Sequence, residues 1–125
     1  MEKIHVLIVD DDPVCSGLLL AILADDYHVT TVNSAVGVLA LSKSLLPNII
    51  FLDVMMSGVN GYKVLKSIKN NVFTLNIPVI VITTLTGVSD KKLFKQLGAD
   101  GYLCKPITLR SVSGIMNEYK LWPPL

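Results

Sequence analysis

Ile49-Ile50-Phe51-Leu52, followed by Asp53, is an unbroken apolar run closed by a carboxylate. A strand with one wet face alternates apolar and polar residues. A run without alternation suits a strand covered on both faces, as in a parallel sheet flanked by helices. Pro47-Asn48 ends whatever helix precedes it. The same signature recurs on either side. Upstream, Ile4–Val9 leads to Asp10-Asp11-Asp12-Pro13; downstream, Pro78-Val79-Ile80-Val81-Ile82 leads to Thr83-Thr84. Tyr27–Val32, with its β-branched threonines, and Gly101-Tyr102-Leu103-Cys104, ending at Lys105-Pro106, complete five short strands.

Helical stretches lie between them. Asp12-Pro13 is a helix start: the aspartate accepts from orphan N–H groups of the first turn, and proline loses nothing there. Val14, Leu18, Leu19, Ile22 and Leu23 follow as an apolar stripe at helical spacing, up to Asp25-Asp26. Asn33-Ser34 is expected to cap a second helix reaching about Leu46. A third is expected from about Tyr62 to Asn70, with Val64, Leu65 and Ile68 inward and Lys63, Lys66 and Lys69 outward. A fourth covers about Ser89 to Leu97, closed by Gly98, and Thr108 caps a last helix through about Lys120. Five strand–helix alternations imply an α/β fold, a doubly wound five-stranded parallel sheet with helices on both faces. Right-handed crossovers leave few topologies, of which the flavodoxin-like order 2-1-3-4-5 is favoured. A single domain is expected over 1–125, its core about 5–121, with 122–125 a tail or the start of a linker.

Composition narrows the function. The 125 residues carry 11 basic and 10 acidic side chains and are 51% apolar, which excludes disorder. No basic stripe marks a direct nucleic-acid contact. No window reaches the roughly 18 apolar residues of a membrane span, and the first residues lack a signal-peptide pattern. No membrane partner is therefore expected. Cys15 and Cys104 are far apart, without metal-ligand spacing, and read as reduced thiols of a cytoplasmic protein. His5 and His28 have no metal or triad spacing and read as structural or surface residues. Charged residues are 17%, below the roughly 25% usual in such domains, which leaves apolar surface for a partner.

The polar residues gather at strand carboxyl ends: Asp10 and Asp11 after the first strand, Asp53 after the third, Thr83 after the fourth and Lys105 after the fifth. In an open α/β sheet these ends share one edge, and the crevice opens where the strand order reverses, between strands one and three. Three carboxylates gathered there repel unless a cation neutralises them. An all-oxygen set suits Mg²⁺ or Mn²⁺ better than zinc. Metal, ammonium and hydroxyl together stabilise the oxygens of a transferring phosphoryl group. Asp53, central on its buried strand, is the candidate nucleophile, forming an aspartyl phosphate.

These stretches match a family. Val6–Pro13, Ile50–Met56, Gly58–Tyr62, Pro78–Thr83 and Gly98–Pro106, in this order and spacing, resemble the receiver domain of two-component response regulators. The resemblance covers about His5 to Leu121. It implies that Asp53 accepts a phosphoryl group from a phosphohistidine on a sensor histidine kinase or histidine phosphotransfer protein. It implies that Asp10, Asp11, Asp53 and the Met55 backbone carbonyl hold Mg²⁺, Asp11 directly and Asp10 through water, while Asp12 falls on the helix cap. Thr83 then bonds the phosphoryl oxygens, Lys105 pairs with them, and the peptide before Pro106 is cis. Thr83 and Tyr102 form the switch, which reshapes the face of helix 4, strand 5 and helix 5, where Lys91, Lys92, Lys95 and Arg110 point outward. A downstream effector or output domain, or a phosphorylation-dependent homodimer, would read that face. Self-catalysed transfer and autodephosphorylation make such a domain a signalling element rather than an enzyme with an external substrate. Three positions depart from the usual pattern: Ser57 where proline is common, Asn60 for aspartate, and Thr84 for a small residue.

Two rivals share parts of this reading. A flavodoxin-like electron carrier needs hydroxyls and glycines after the first strand to cradle a phosphate, and Asp10-Asp11-Asp12 repel one. An aspartate-nucleophile phosphohydrolase often carries a second carboxylate two residues past the nucleophile, where this chain has Met55.

Overall fold

The computed structural model describes residues 3–56, 61–84 and 88–124, with nothing said of the Val88 side chain. Strands and helices alternate as β1 (His5–Val9), α1 (Pro13–Leu23), β2 (His28–Val32), α2 (Val38–Leu45), β3 (Ile49–Asp53), α3 (Gly61–Lys69), β4 (Val79–Thr83), α4 (Val88–Gln96), β5 (Gly101–Cys104) and α5 (Leu109–Glu118). The sheet order is β2-β1-β3-β4-β5, every pairing parallel. This is the doubly wound, flavodoxin-like architecture expected from the apolar runs.

Every residue of β3 and β4 is buried, because alternate side chains serve two separate cores. Val6, Ile8, Ile49, Phe51, Ile80, Ile82 and Leu103 face Cys15, Leu19 and Leu23 of α1 and Val112 and Met116 of α5. Leu7, Val9, Ile50, Leu52, Val79 and Val81 face Val38 of α2, Leu65 and Ile68 of α3 and Phe94 of α4. Burying such side chains contributes roughly 1.5–3 kcal/mol each.

Several local expectations are corrected. In α1 the buried face is Cys15, Leu19 and Leu23, whereas Val14 and Leu18 face solvent. Helix α2 starts four residues after Ser34. The Ser34 hydroxyl instead accepts the Val36 N–H in a local turn, and Gly37, at φ +77°, is the N-cap with no side-chain capping bond. Lys69 is not outward: its ammonium pairs with Asp100 at 2.6 Å and donates to the Ile77 carbonyl at 2.7 Å. Trp122, read as part of a tail or linker start, has a place in the fold. It packs on the α1/α5 core and stacks on Tyr27, whose hydroxyl donates to the Leu121 carbonyl. Thr108 caps α5 as expected, in a reciprocal box with Ser111. Ser57 and Asn60 lie outside the described residues.

Candidate functional site

Parallel strands of matched register end on one edge, so each terminal residue is delivered to the same crevice. Asp10 follows β1, its N–H donating to the Val32 carbonyl of β2 at 3.0 Å. Asp53 ends β3 and Thr83 ends β4, both buried. Lys105 follows β5, its N–H donating to the Thr83 carbonyl at 2.9 Å. Asp12, with an extended backbone, accepts the Val14 N–H at 3.0 Å and starts α1.

Asp10, Asp11 and Asp53 bring one carboxylate oxygen each to within 4.8 Å of one another. The Lys105 ammonium stands 3.2 Å from Asp53 Oδ2, 3.5 Å from Asp12 Oδ2 and 3.7 Å from Asp10 Oδ1. Asp53 Oδ1 accepts the Met55 N–H at 2.8 Å and Asp10 Oδ1 the Asp12 N–H at 2.9 Å. Asp10 Oδ2 is buried and has no hydrogen-bond partner. A buried anionic oxygen without a donor is costly.

The electrostatics follow. Burial, reinforced by the neighbouring Asp53 carboxylate, pushes Asp10 up to about 6. The Val14 N–H, with the Lys105 ammonium behind it, holds Asp12 below the usual carboxylate range. Burial disfavours the Lys105 ammonium, but the Asp10 and Asp53 carboxylates outweigh it and raise the lysine. The Cys15 thiol, buried near Asp10, is pushed up to about 12 and is inert at neutral pH.

The structure thus gathers Asp10, Asp11, Asp53 and Lys105, with Thr83 at the adjoining strand end, and the Lys105–Pro106 peptide is cis. Tyr102 is elsewhere: its half-exposed ring lies on the α4–β5 face under the Lys91 ammonium, 4.8 Å from the ring centre. Lys91, Lys92, Lys95 and Arg110 are exposed, as expected. Asp12 was read only as a cap. Its contact with Lys105 was missed because the capping bond already accounts for an aspartate there. Beside Lys105 lies a hollow of about 270 Å³ lined by Asp12, Val14, Cys15, Leu18, Thr84, Pro106 and Ile107.

This fold and acidic crevice define a class, and comparison names it. The chain belongs to the response regulator receiver domain family, whose model matches residues 6–116. It is therefore a receiver domain of two-component response regulators and works in phosphorelay signalling. It is 41% identical over 104 residues to response regulator PleD of Caulobacter vibrioides, covering 82% of this chain and 23% of PleD. It is 36% identical over 115 residues to protein PilH of Pseudomonas aeruginosa, covering 90% of this chain and 94% of PilH. The chain thus spans about a quarter of PleD and nearly all of PilH. Chemotaxis protein CheY4 of Vibrio cholerae superposes with a TM-score of 0.86 at 25% identity, covering 94% of this chain and 98% of CheY4. No described helix is long and apolar enough to cross a membrane.

Proposed function

We propose that Asp53 is the phosphoacceptor of this receiver domain and that a histidine kinase or histidine phosphotransfer protein is the donor. An Asp53 carboxylate oxygen attacks phosphorus, and the P–N bond to the donor imidazole breaks with its electron pair leaving on nitrogen. Lys105, already 3.2 Å from Asp53, pairs with the charge of the phosphoryl oxygens, and Thr83 donates to one of them. Asp10, Asp11, Asp53 and the Met55 carbonyl would hold Mg²⁺, which the orphaned Asp10 Oδ2 and the all-oxygen donor set fit. When bound it neutralises the crowded carboxylates and the incoming phosphoryl group. Water attacking the acyl phosphate returns free Asp53 and inorganic phosphate.

The exposed Val14 and Leu18, at the hollow beside Lys105, offer the donor an apolar seat within reach of Asp53, and Thr84 lies on its rim. Residues 1–125 form one receiver unit in this reading, acting in the cytoplasm, with an effector or output domain recognising the face of α4, β5 and α5. The observation that carries the reading is the Lys105–Asp53 contact inside an acidic cluster whose buried Asp10 Oδ2 lacks a donor. Incubation with acetyl phosphate and Mg²⁺, read by intact mass, is expected to add one phosphoryl group. The gain should vanish with chelator and in Asp53→Asn, and stoichiometric labelling of that variant would show that another residue is the acceptor.

A further inference from the structure

The edge of the sheet opposite the aspartates carries a feature that phosphoryl chemistry does not use. The turn between α3 and β4 exposes Val72 by 74% and Phe73 by 67%, with Leu75 also outward. It is a built turn. Asn71 Oδ1 accepts the Phe73 N–H at 2.9 Å, and the Asn71 carbonyl accepts the Leu75 N–H at 2.8 Å. The buried Thr74 hydroxyl donates to the Ile68 carbonyl at 2.6 Å, and Lys69 donates to the Leu75 and Ile77 carbonyls. Thr74 is thus anchored inward while its apolar neighbours are held out.

The charge around this turn is predominantly positive, with the Asp100 carboxylate held against it by Lys69. From Asn33 to Ser89 the single carboxylate is Asp53, buried at the far edge, while the cations are Lys43, Lys63, Lys66 and Lys69. Lys69 is paired with Asp100. Lys43 lies 5.6 Å over the Phe73 ring, and Leu46, exposed, follows Lys43 by one helical turn and precedes β3 at the same edge.

We propose that this edge docks on the surface of an anionic lipid bilayer, Val72 and Phe73 entering the boundary between headgroups and acyl chains while Lys43 and its neighbouring lysines meet the anionic headgroups. A protein partner of ordinary stability needs roughly 1,000 Å² of complementary surface. Two consecutive exposed apolar side chains, one of them with the Lys43 ammonium over its ring, suit a bilayer interface better. Such contact requires no spanning helix and is independent of the phosphoacceptor reading.

The test is co-sedimentation of the full chain with vesicles of phosphatidylcholine alone or mixed equally with phosphatidylserine, at low and high salt. Binding is expected only to the anionic vesicles, weakened by salt. Phe73→Ser should lower partitioning about tenfold or more, on the scale of a lost buried aromatic, and Val72→Ser and Lys43→Glu should each weaken it. Acetyl phosphate labelling of Asp53 should be unchanged in all three, and Asp53→Asn should sediment like the parent chain. No sedimentation at low salt, equal sedimentation with neutral vesicles, or sedimentation indifferent to these substitutions would overturn the proposal.

Discussion

Asp10 carries the clearest energetic cost at single-residue scale. The residue is 2% exposed, one carboxylate oxygen has no donor, and burial beside Asp53 pushes the group up to about 6. In the metal-free protein a buried charge of this kind costs stability. Asp10→Asn is therefore expected to stabilise the chelator-treated protein at pH 7 by about 1–3 kcal/mol, read from urea midpoints. Mg²⁺ should raise the melting temperature of the parent chain and leave that of the variant nearly unmoved. A variant less stable than the parent in chelator would mean that the carboxylate is satisfied without a cation. The residues that meet in the crevice were legible because they terminate apolar runs, where a carboxylate, hydroxyl or lysine has no packing reason to recur. The second contact of Asp12, with Lys105, was not, because pairing across the crevice depends on side-chain direction rather than on spacing.

At the scale of elements, β3 and α3 are joined by a close approach that admits no side chain. A Cβ on Gly61 would fall on the Val54 backbone, its carbonyl carbon included at 2.9 Å. Val54 lies between Asp53 and Met55, so the displacement would pass into the site. Gly61→Ala is expected to cost about 1–3 kcal/mol by overpacking, seen in urea melts, and to slow acetyl phosphate labelling. Unaltered stability and labelling would mean that the loop yields freely. The pairing of β1 with β2 makes a second case. His5 and His28 stack at 4.3 Å, and His5 Nε2 lies 2.8 Å from Thr30 Oγ1. Burial first, then the His28 charge, lowers His5 from its ordinary value. A histidine depressed in the folded state binds fewer protons there than in the unfolded chain. Its contribution is thus present above about 6.5 and lost as pH falls through the folded value. Urea midpoints should fall below pH 6.5, less steeply in His5→Gln; equal slopes would remove His5 as the cause. Strands were readable because both faces of the central ones are buried, leaving no alternation to misassign. The face of α1 was not: nearly every side chain in Pro13–Leu23 is apolar, so periodicity alone does not choose between Val14 and Cys15. The start of α2 was missed because a serine that caps and a serine that closes a local turn look alike in sequence.

On the scale of the molecule, Lys105 connects the acidic crevice to β5, and β5 carries Tyr102 on the face with Lys91. In the present conformation Tyr102 is outward, Thr83 is buried, and the lysine is held by three carboxylates. We propose that a phosphoryl group on Asp53, adding negative charge and new acceptor oxygens, draws Lys105 and Thr83 toward it. On this proposal Tyr102 would turn into the space Thr83 vacates, biasing the α4–β5–α5 face toward a second arrangement. The lysine pairs with the carboxylates of the resting crevice and, on this proposal, would be the lever between its two ends. Lys105→Ala leaves three carboxylates without their ammonium. Since the lysine is 18% exposed at its side chain, the loss in chelator is expected at the lower end for a partly buried pair, about 1–3 kcal/mol, with Mg²⁺ restoring part of it. Acetyl phosphate should still label Asp53 in this variant, more slowly. Amide chemical-shift changes on α4, β5 and α5 that accompany phosphorylation of the parent chain should be absent. If those shifts persist at full amplitude in Lys105→Ala, the signal crosses the sheet without the lysine, and Thr83 alone must move the far face.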